Sequence, residues 1–311
     1  MSAALPLIGH RVPEARFLAA RASGRLHHGW ILQGPSGVGK ARFAKRIAAL
    51  MLGADSADAQ PHDPVMQKVL SGSHPDLKWV QREVGDRGKL RQDITVDQIR
   101  SLNQFFALRP ALAGWRVGVI DSLDEMNVSG LNALLKTLEE PPQNALLLLI
   151  SHGAVPVLPT INSRCQRLRF APLSAEDTRA VLAEAGRDTA IAADLAGGRP
   201  GYGLQLQDGS GAAALQATRT LLKSIRQPKG GVVTAALQAA SKDQDALQVY
   251  TDALLAWVSD AADEAPQLGD TWMALHRVRA DAVAFNQTPL QTATKLFSVL
   301  QDGVKALPAN P

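Results

Sequence analysis

The run Gly34-Pro35-Ser36-Gly37-Val38-Gly39-Lys40 has the Gly-x-x-x-x-Gly-Lys spacing of a phosphate-binding loop, directly behind the apolar run Trp30-Ile31-Leu32-Gln33. That pairing constrains the fold more than any other feature of the chain. Such a loop works only where a strand ends and a helix begins. Gly34, Gly37 and Gly39 let backbone N–H groups turn toward an anion, the helix N-terminus adds positive potential, and Lys40 adds a cation. A glycine-rich structural turn is the competing reading. The agreement of strand, loop, lysine and helix at one place favours the phosphate site.

Short apolar runs alternate with helical patterns from Leu26 to Phe170, as a parallel sheet with crossover helices requires. The runs are WILQG, LKWV, RVGVID, ALLLLIS and QRLRF. Between them the spacing predicts helices at Lys40 to Leu52, Thr95 to Ala107 and Val128 to Glu140. The last is stopped by Pro141 and Pro142, which lack the N–H a continuing helix needs. From Ser174 the strands give way to alanine-rich helical patterns. Ser174 stands three residues before Asp177, a capping-box-like start, and Gly186 stops that helix. A second helix runs into AGGRPGYG, and the glycines and proline there mark a boundary near residue 208. The remaining residues, 209–311, read as several amphipathic helices. The expected class is therefore α/β: a parallel-sheet phosphate-loop domain over 1–172, a small helical lid over 173–208 and an all-α region over 209–311.

Composition narrows the function. The chain has 311 residues, 46% hydrophobic and 20% charged, which suits packed domains rather than global disorder. Its longest apolar stretch, Ala145 to Ile150, is far short of the ~20 residues that span a bilayer. The first residues lack the basic and apolar pattern that export requires, so a cytoplasmic location with no membrane partner is expected. The single Cys165 excludes an internal disulfide and a thiolate metal cluster. The net charge of +4 lies wholly in residues 1–208, because 209–311 hold 9 basic and 9 acidic residues. A nucleic-acid partner is permitted by this charge and not demanded by it.

The loop lacks two groups that hydrolysis needs. Ala41 stands where a serine or threonine hydroxyl would ligate Mg²⁺; losing such a contact weakens binding of the metal complex by about 1.5–3 kcal/mol. The partner strand RVGVID ends at Asp121, which can organise a metal, but the next residue is Ser122 and not the glutamate that would activate water. Loss of a general base removes about 10²–10⁴ in rate. Asp124 and Glu125 are near in sequence, yet point elsewhere unless the strand end is irregular. Nucleotide binding is therefore expected to be weak or vestigial, with no cofactor required.

GLNALLKTLEEPP (Gly130 to Pro142) and INSRCQRLRF (Ile161 to Phe170) follow the loop and the Asp121 strand in order. In this combination they closely resemble the clamp-loader branch of the AAA+ ATPases, over residues 1–208. The resemblance implies a subunit of the sliding-clamp loader of DNA polymerase III. It implies that Arg164 is an arginine finger reaching a neighbouring subunit's ATP site, flanked by interface residues Ser163 and Cys165. It also makes 209–311 a collar that joins the ring. Implied partners are the motor (gamma/tau) subunits, a clamp-opening delta subunit, and the sliding clamp and primer-template DNA through the complex. Physically, a guanidinium against a γ-phosphate stabilises spreading charge, and a surface arginine paired with a carboxylate is the plainer reading. Glu139 and Glu140 oppose the helix dipole at the end of their helix, which suggests either an interface or simple solvation.

Departures from the motor subunits sharpen the expectation of a non-motor subunit. Besides Ala41 and Ser122, the position of the sensing arginine that motor subunits carry aligns with Gly201, with Arg199 close by. The family's zinc module has no counterpart here: its stretch holds no cysteine, and His62, Asp63, His74 and Asp76 fit no tetrahedral spacing, so no metal is expected. Basic runs at Lys40 to Arg46 and Gln81 to Asp93, with Arg100, read as solvated faces or as DNA contacts. Trp79, Trp115, Phe105 and Phe106 read as core. Two rivals stay open: an active ATPase whose base is Asp124 or Glu125, and an unrelated phosphate-loop kinase.

Overall fold

The computed structural model describes residues 7–56, 62–85, 91, 93–112, 114–153, 157–186, 196–206, 209–262, 265, 267–285 and 287–307. The helix expected ahead of the glycine segment (187–195), the expected boundary at 208 and part of the second basic run (86–90 and 92) lie outside the described residues. The chain divides into two compact units, Met1–Ala185 with Gly197–Gly201, and Gly186–Ala196 with Tyr202–Pro311.

The first unit is built on five parallel strands: β1 (Gly29–Gln33), β2 (Leu77–Gln81), β3 (Arg116–Asp121), β4 (Ala145–Ser151) and β5 (Gln166–Arg169). Their order across the sheet is β2-β3-β4-β1-β5. All seven residues of β4 are buried, which explains why its sequence is apolar without alternation: helices cover both faces. Leu146, Leu148 and Ile150 join one core with Phe43 and Ile47 of α2 (Lys40–Met51). Leu147 and Leu149 join the other, with Ile99 and Leu102 of α4 (Val96–Ala107) and Leu134 of α5 (Val128–Glu139). Also in this unit are α1 (Arg11–Ala22), α3 (Pro64–Ser71), α6 (Pro159–Asn162) and α7 (Ala175–Glu184).

The helix ends follow local chemistry. Thr95 and Gln98 close a reciprocal capping box at the start of α4, and Asn127 accepts the Gly130 N–H at the start of α5. Ser174 Oγ accepts the Asp177 N–H at the start of α7. The sequence reading gives no sign of α1, α3 or α6; the longest of these is α1, whose buried residues are Pro13 and Phe17 alone. Phe17 is fully buried between the rings of Trp30 and Phe43, so one aromatic anchor docks a helix with no apolar stripe to announce it.

Every secondary-structure element among the described residues of the second unit is a helix. It contains the larger part of α8 (Pro200–Gln205), then α9 (Gly209–Lys223), α10 (Gly230–Ala240), α11 (Gln244–Ala262), α12 (Leu268–Ala284) and α13 (Pro289–Lys305). Its main core gathers Leu221, Ala236, Tyr250, Leu254, Leu275 and Leu296. The expected α/β phosphate-loop domain and helical C-terminal region are both present. Among the described residues no helix is long and apolar enough to cross a membrane.

Candidate functional site

Three strand ends meet at one edge of the sheet. In register, Asp121 of β3 pairs with Ile150 of β4, and Gln33 of β1 pairs with Ser151. The Gly34 N–H then donates to Ser151 O at 3.2 Å. The phosphate loop, Asp121 and His152 therefore share the carboxyl edge, where open parallel sheets bind ligands. Gly37 and Gly39 have φ of 82° and 108°, and Gly39 is the N-cap from which α2 departs.

Lys40 is 3% exposed, and its Nζ donates to Gly34 O and Pro35 O, each at 2.6 Å. The ammonium thus braces the loop from within. Burial pulls its pKa down to about 8, against the charges of Asp121 and Asp124. Burial and then Glu125 push the Asp121 carboxyl above its ordinary value, while Lys40 and Lys45 pull it back. His152, which the sequence reading passed over, has its Nε2 4.0 Å from Asp121 Oδ1. Burial and the Lys40 charge press His152 down to about 4, so it faces the loop as a neutral imidazole at neutral pH.

The end of β3 is irregular. After Asp121 the chain enters a 3₁₀ turn, Leu123–Glu125, which bends Asp124 back toward the loop, where its charge acts on Lys40. Asp124 therefore does not point away. Its Oδ2, however, accepts the His152 N–H at 2.6 Å. Glu125 is drawn to Arg82 at 3.0 Å. Ser122 is fully buried and its hydroxyl has no hydrogen-bond partner. Both nearby carboxylates are thus engaged, and Ala41 offers no hydroxyl.

Gly201 lies against the same loop, its N–H donating to Gly37 O at 2.8 Å. A side chain there would begin with a Cβ 3.0 Å from both Gly37 Cα and Gly37 O, so a larger residue at 201 would have to push the loop away. His10 Nε2 bonds Val38 O at 2.7 Å from the other side. A cavity of about 670 Å³ opens beside His10, lined by Leu7, Ile8, Arg169, Leu173 and Asp177 among others.

The other group of predicted residues sits at the opposite end of the sheet. Arg164 and Cys165 precede β5, whose Gln166 pairs with Trp30 near the start of β1. A Cβ on Gly29 would meet Cys165 Sγ at 2.9 Å and Arg164 O at 3.3 Å, so glycine lets these segments close up. Burial pushes the Cys165 thiol up to about 12, which leaves it an unreactive packing group. Ser163 Oγ donates to Thr160 O. Glu139 ends α5 and Glu140 caps it, both exposed. The five residues of β1 at about 3.3 Å each put some 16 Å between Arg164 and the chain's own loop.

The other marked residues have structural work. Asp63 caps α3, and His74 Nδ1 accepts the Asp76 N–H. No group of three or more potential metal ligands occurs among the described residues. The first basic run turns inward: Lys40 and Arg46 are buried, Arg46 pairs with Glu14 at 2.7 Å, and Lys45 lies over Trp79. Trp79, Trp115 and Phe106 pack on the cores, as expected.

A family profile described as DNA polymerase III, delta subunit matches residues 12–174. The chain belongs to this family. It is 37% identical over 157 residues to the DNA polymerase III subunit delta' of Pseudomonas aeruginosa, covering 49% of this chain and 46% of the relative. It is 32% identical over 153 residues to the delta' subunit of Bacillus subtilis, covering 48% and 44%. The gamma subunit of Buchnera aphidicola is 31% identical over 157 residues, covering 50% and 41%. The matched region spans less than half the length of each of these relatives. A solved DNA polymerase III gamma subunit-related protein of Thermotoga maritima aligns with TM-score 0.48 and 16% identity over 92% of this chain and 98% of its own.

Lys40 gives the site a pH signature. A phosphate seated on the loop would be met best by the ammonium form, so any affinity for ADP is expected to fall by up to tenfold per unit as pH rises beyond about 8. The stability effect has the opposite sense. The cost of burying the charge applies below about pH 8 and is relieved toward 10.5, where the unfolded chain still holds the proton. Isothermal titration at several pH values, with Lys40→Ala as the reference, checks the first effect; a pH-independent affinity would count against Lys40 as the phosphate ligand.

Proposed function

We propose that the chain is a non-motor subunit, in the delta-prime position, of a bacterial sliding-clamp loader of DNA polymerase III. It lends Arg164 in trans to the ATP site of a neighbouring motor subunit. One observation carries this reading: Arg164 and the chain's own phosphate loop lie at opposite ends of parallel strands β1 and β5. Any triphosphate that meets Arg164 therefore belongs to another chain. The engaged carboxylates of Asp124 and Glu125 and the missing hydroxyl at Ala41 support the second half of the reading, a loop that holds nucleotide weakly and does not split it.

In this reading residues 173–208 form the lid and 209–311 join the collar. Ser163, Cys165, Glu139 and Glu140 lie at the boundary with the motor (gamma/tau) subunit. The delta subunit, the sliding clamp and primer-template DNA are reached through the assembly, in the cytoplasm. No zinc or other metal is needed. The test is reconstitution with gamma/tau and delta subunits: the chain is expected to enter the complex and raise its ATP-dependent clamp loading, while alone it turns over no ATP above a Lys40→Ala control. Turnover by the chain alone that Lys40→Ala abolishes would favour an active ATPase instead.

A further inference from the structure

We propose that Glu139 is the positioning residue of the Arg164 guanidinium; this rests on the trans-finger reading above. Three groups from two elements converge on that side chain. Nη1 donates to Thr160 O of α6 at 2.9 Å and to Ser163 Oγ at 3.2 Å. Nη2 stands 3.0 Å from Glu139 Oε1 at the end of α5. A guanidinium has five N–H donors. The two hydrogen bonds use both Nη1 N–H groups, and they leave the Nε–H and the Nη2 N–H groups beside the carboxylate for phosphoryl oxygens.

Stability does not account for the carboxylate's place. It sits in the last turn of α5, where the helix dipole repels it. Its side chain is 50% exposed and that of Arg164 36%, and ion pairs so open to solvent add little to a fold. What the pair does is fix direction. Leu138, the residue before Glu139, is buried against the sheet and lies 3.2 Å from where a Gly29 Cβ would be, so the end of α5 is anchored beside β1 and β5. The backbone of Glu139 is thereby fixed, which keeps its carboxylate within reach of the Arg164 fork. A long arginine side chain otherwise samples many rotamers, and reaction rate depends on its reaching the phosphate in one geometry.

The experiment uses the reconstituted loader and five forms of this chain: wild type, Glu139→Ala, Glu139→Gln, Arg164→Ala and the double variant Glu139→Ala with Arg164→Ala. Glu139→Ala is expected to lower kcat at the neighbouring site about tenfold with KM unchanged, while leaving assembly and the melting temperature as in wild type. Glu139→Gln, which keeps an acceptor oxygen, is expected to restore most of the rate. The double variant should be no slower than Arg164→Ala alone, because Glu139 acts only through the arginine. A faster Glu139→Ala loader would make the pair an inhibitory latch and overturn the proposal. So would an unchanged rate, or a loss that persists on top of Arg164→Ala. If Arg164→Ala itself leaves turnover unchanged, the finger reading fails and this inference falls with it. If only Glu139→Ala is silent, the finger stands and the positioning role alone is refuted.

Discussion

In a loader reassembled with Arg164→Ala, ATP turnover at the site facing this chain is expected to fall about 10³-fold. The magnitude follows from the charge that the guanidinium meets. In phosphoryl transfer negative charge spreads over the γ-phosphate oxygens, and a planar cation placed against them is worth far more in the transition state than in the ground state. Arg164→Lys should not rescue the rate, since a single ammonium lacks the fork that spans two oxygens. The complex itself should hold together. Arg164 is half-exposed and its ion pair among the described residues is the solvent-facing one with Glu139, so the chain loses about 1 kcal/mol of stability at most. Steady-state turnover also counts any ATP site that this chain does not face, so in the whole loader it falls less than turnover at this one site. Single-turnover measurement with labelled nucleotide at that site resolves the two. Undiminished turnover there would leave the chain without the chemical contribution proposed for it.

Much of the first unit could be read from the chain, and the reason is local. All five runs became strands; β1, β3 and β4, buried along nearly their whole length, write themselves as largely apolar sequence, as strands covered on both faces do. The phosphate loop was equally legible because strand, glycines, lysine and helix are consecutive. What the sequence hid are meetings of distant residues. Nothing near His152 announces that it will stand 4.0 Å from Asp121. The 3₁₀ turn that brings Asp124 back toward Lys40 has no strong local signature, and the pairing of Glu139 with Arg164 joins residues on different elements. Helix α1 was missed for a related reason: its docking rests on Phe17, whose partners Trp30 and Phe43 lie beyond any local window. The sequence likewise hides that Gly201 packs directly on Gly37, leaving little room for a side chain at that position.

Asp76→Ala is expected to cost about 3–5 kcal/mol of folding stability, although Asp76 lies far from both functional groups. Asp76 is completely buried. Its two oxygens accept the N–H groups of Ala111 and Leu112 at 2.6 and 2.7 Å, and Arg116, also buried, approaches at 3.8 Å. Arg116 in turn donates to Phe105 O and Arg109 O and lies over the Phe105 ring. The carboxylate therefore ties β2, the start of β3 and the loop after α4 into one network. Removing it leaves a buried guanidinium without its counter-charge and two backbone donors without acceptors, and each of these is penalised where water cannot enter. Asp76→Asn should cost less than alanine, because one amide oxygen can still accept while the charge is gone. Urea denaturation of the two variants measures both values. The order Ala worse than Asn separates loss of hydrogen bonds from loss of charge alone, and a cost below about 1 kcal/mol for alanine would show that the network does not carry the load assigned to it.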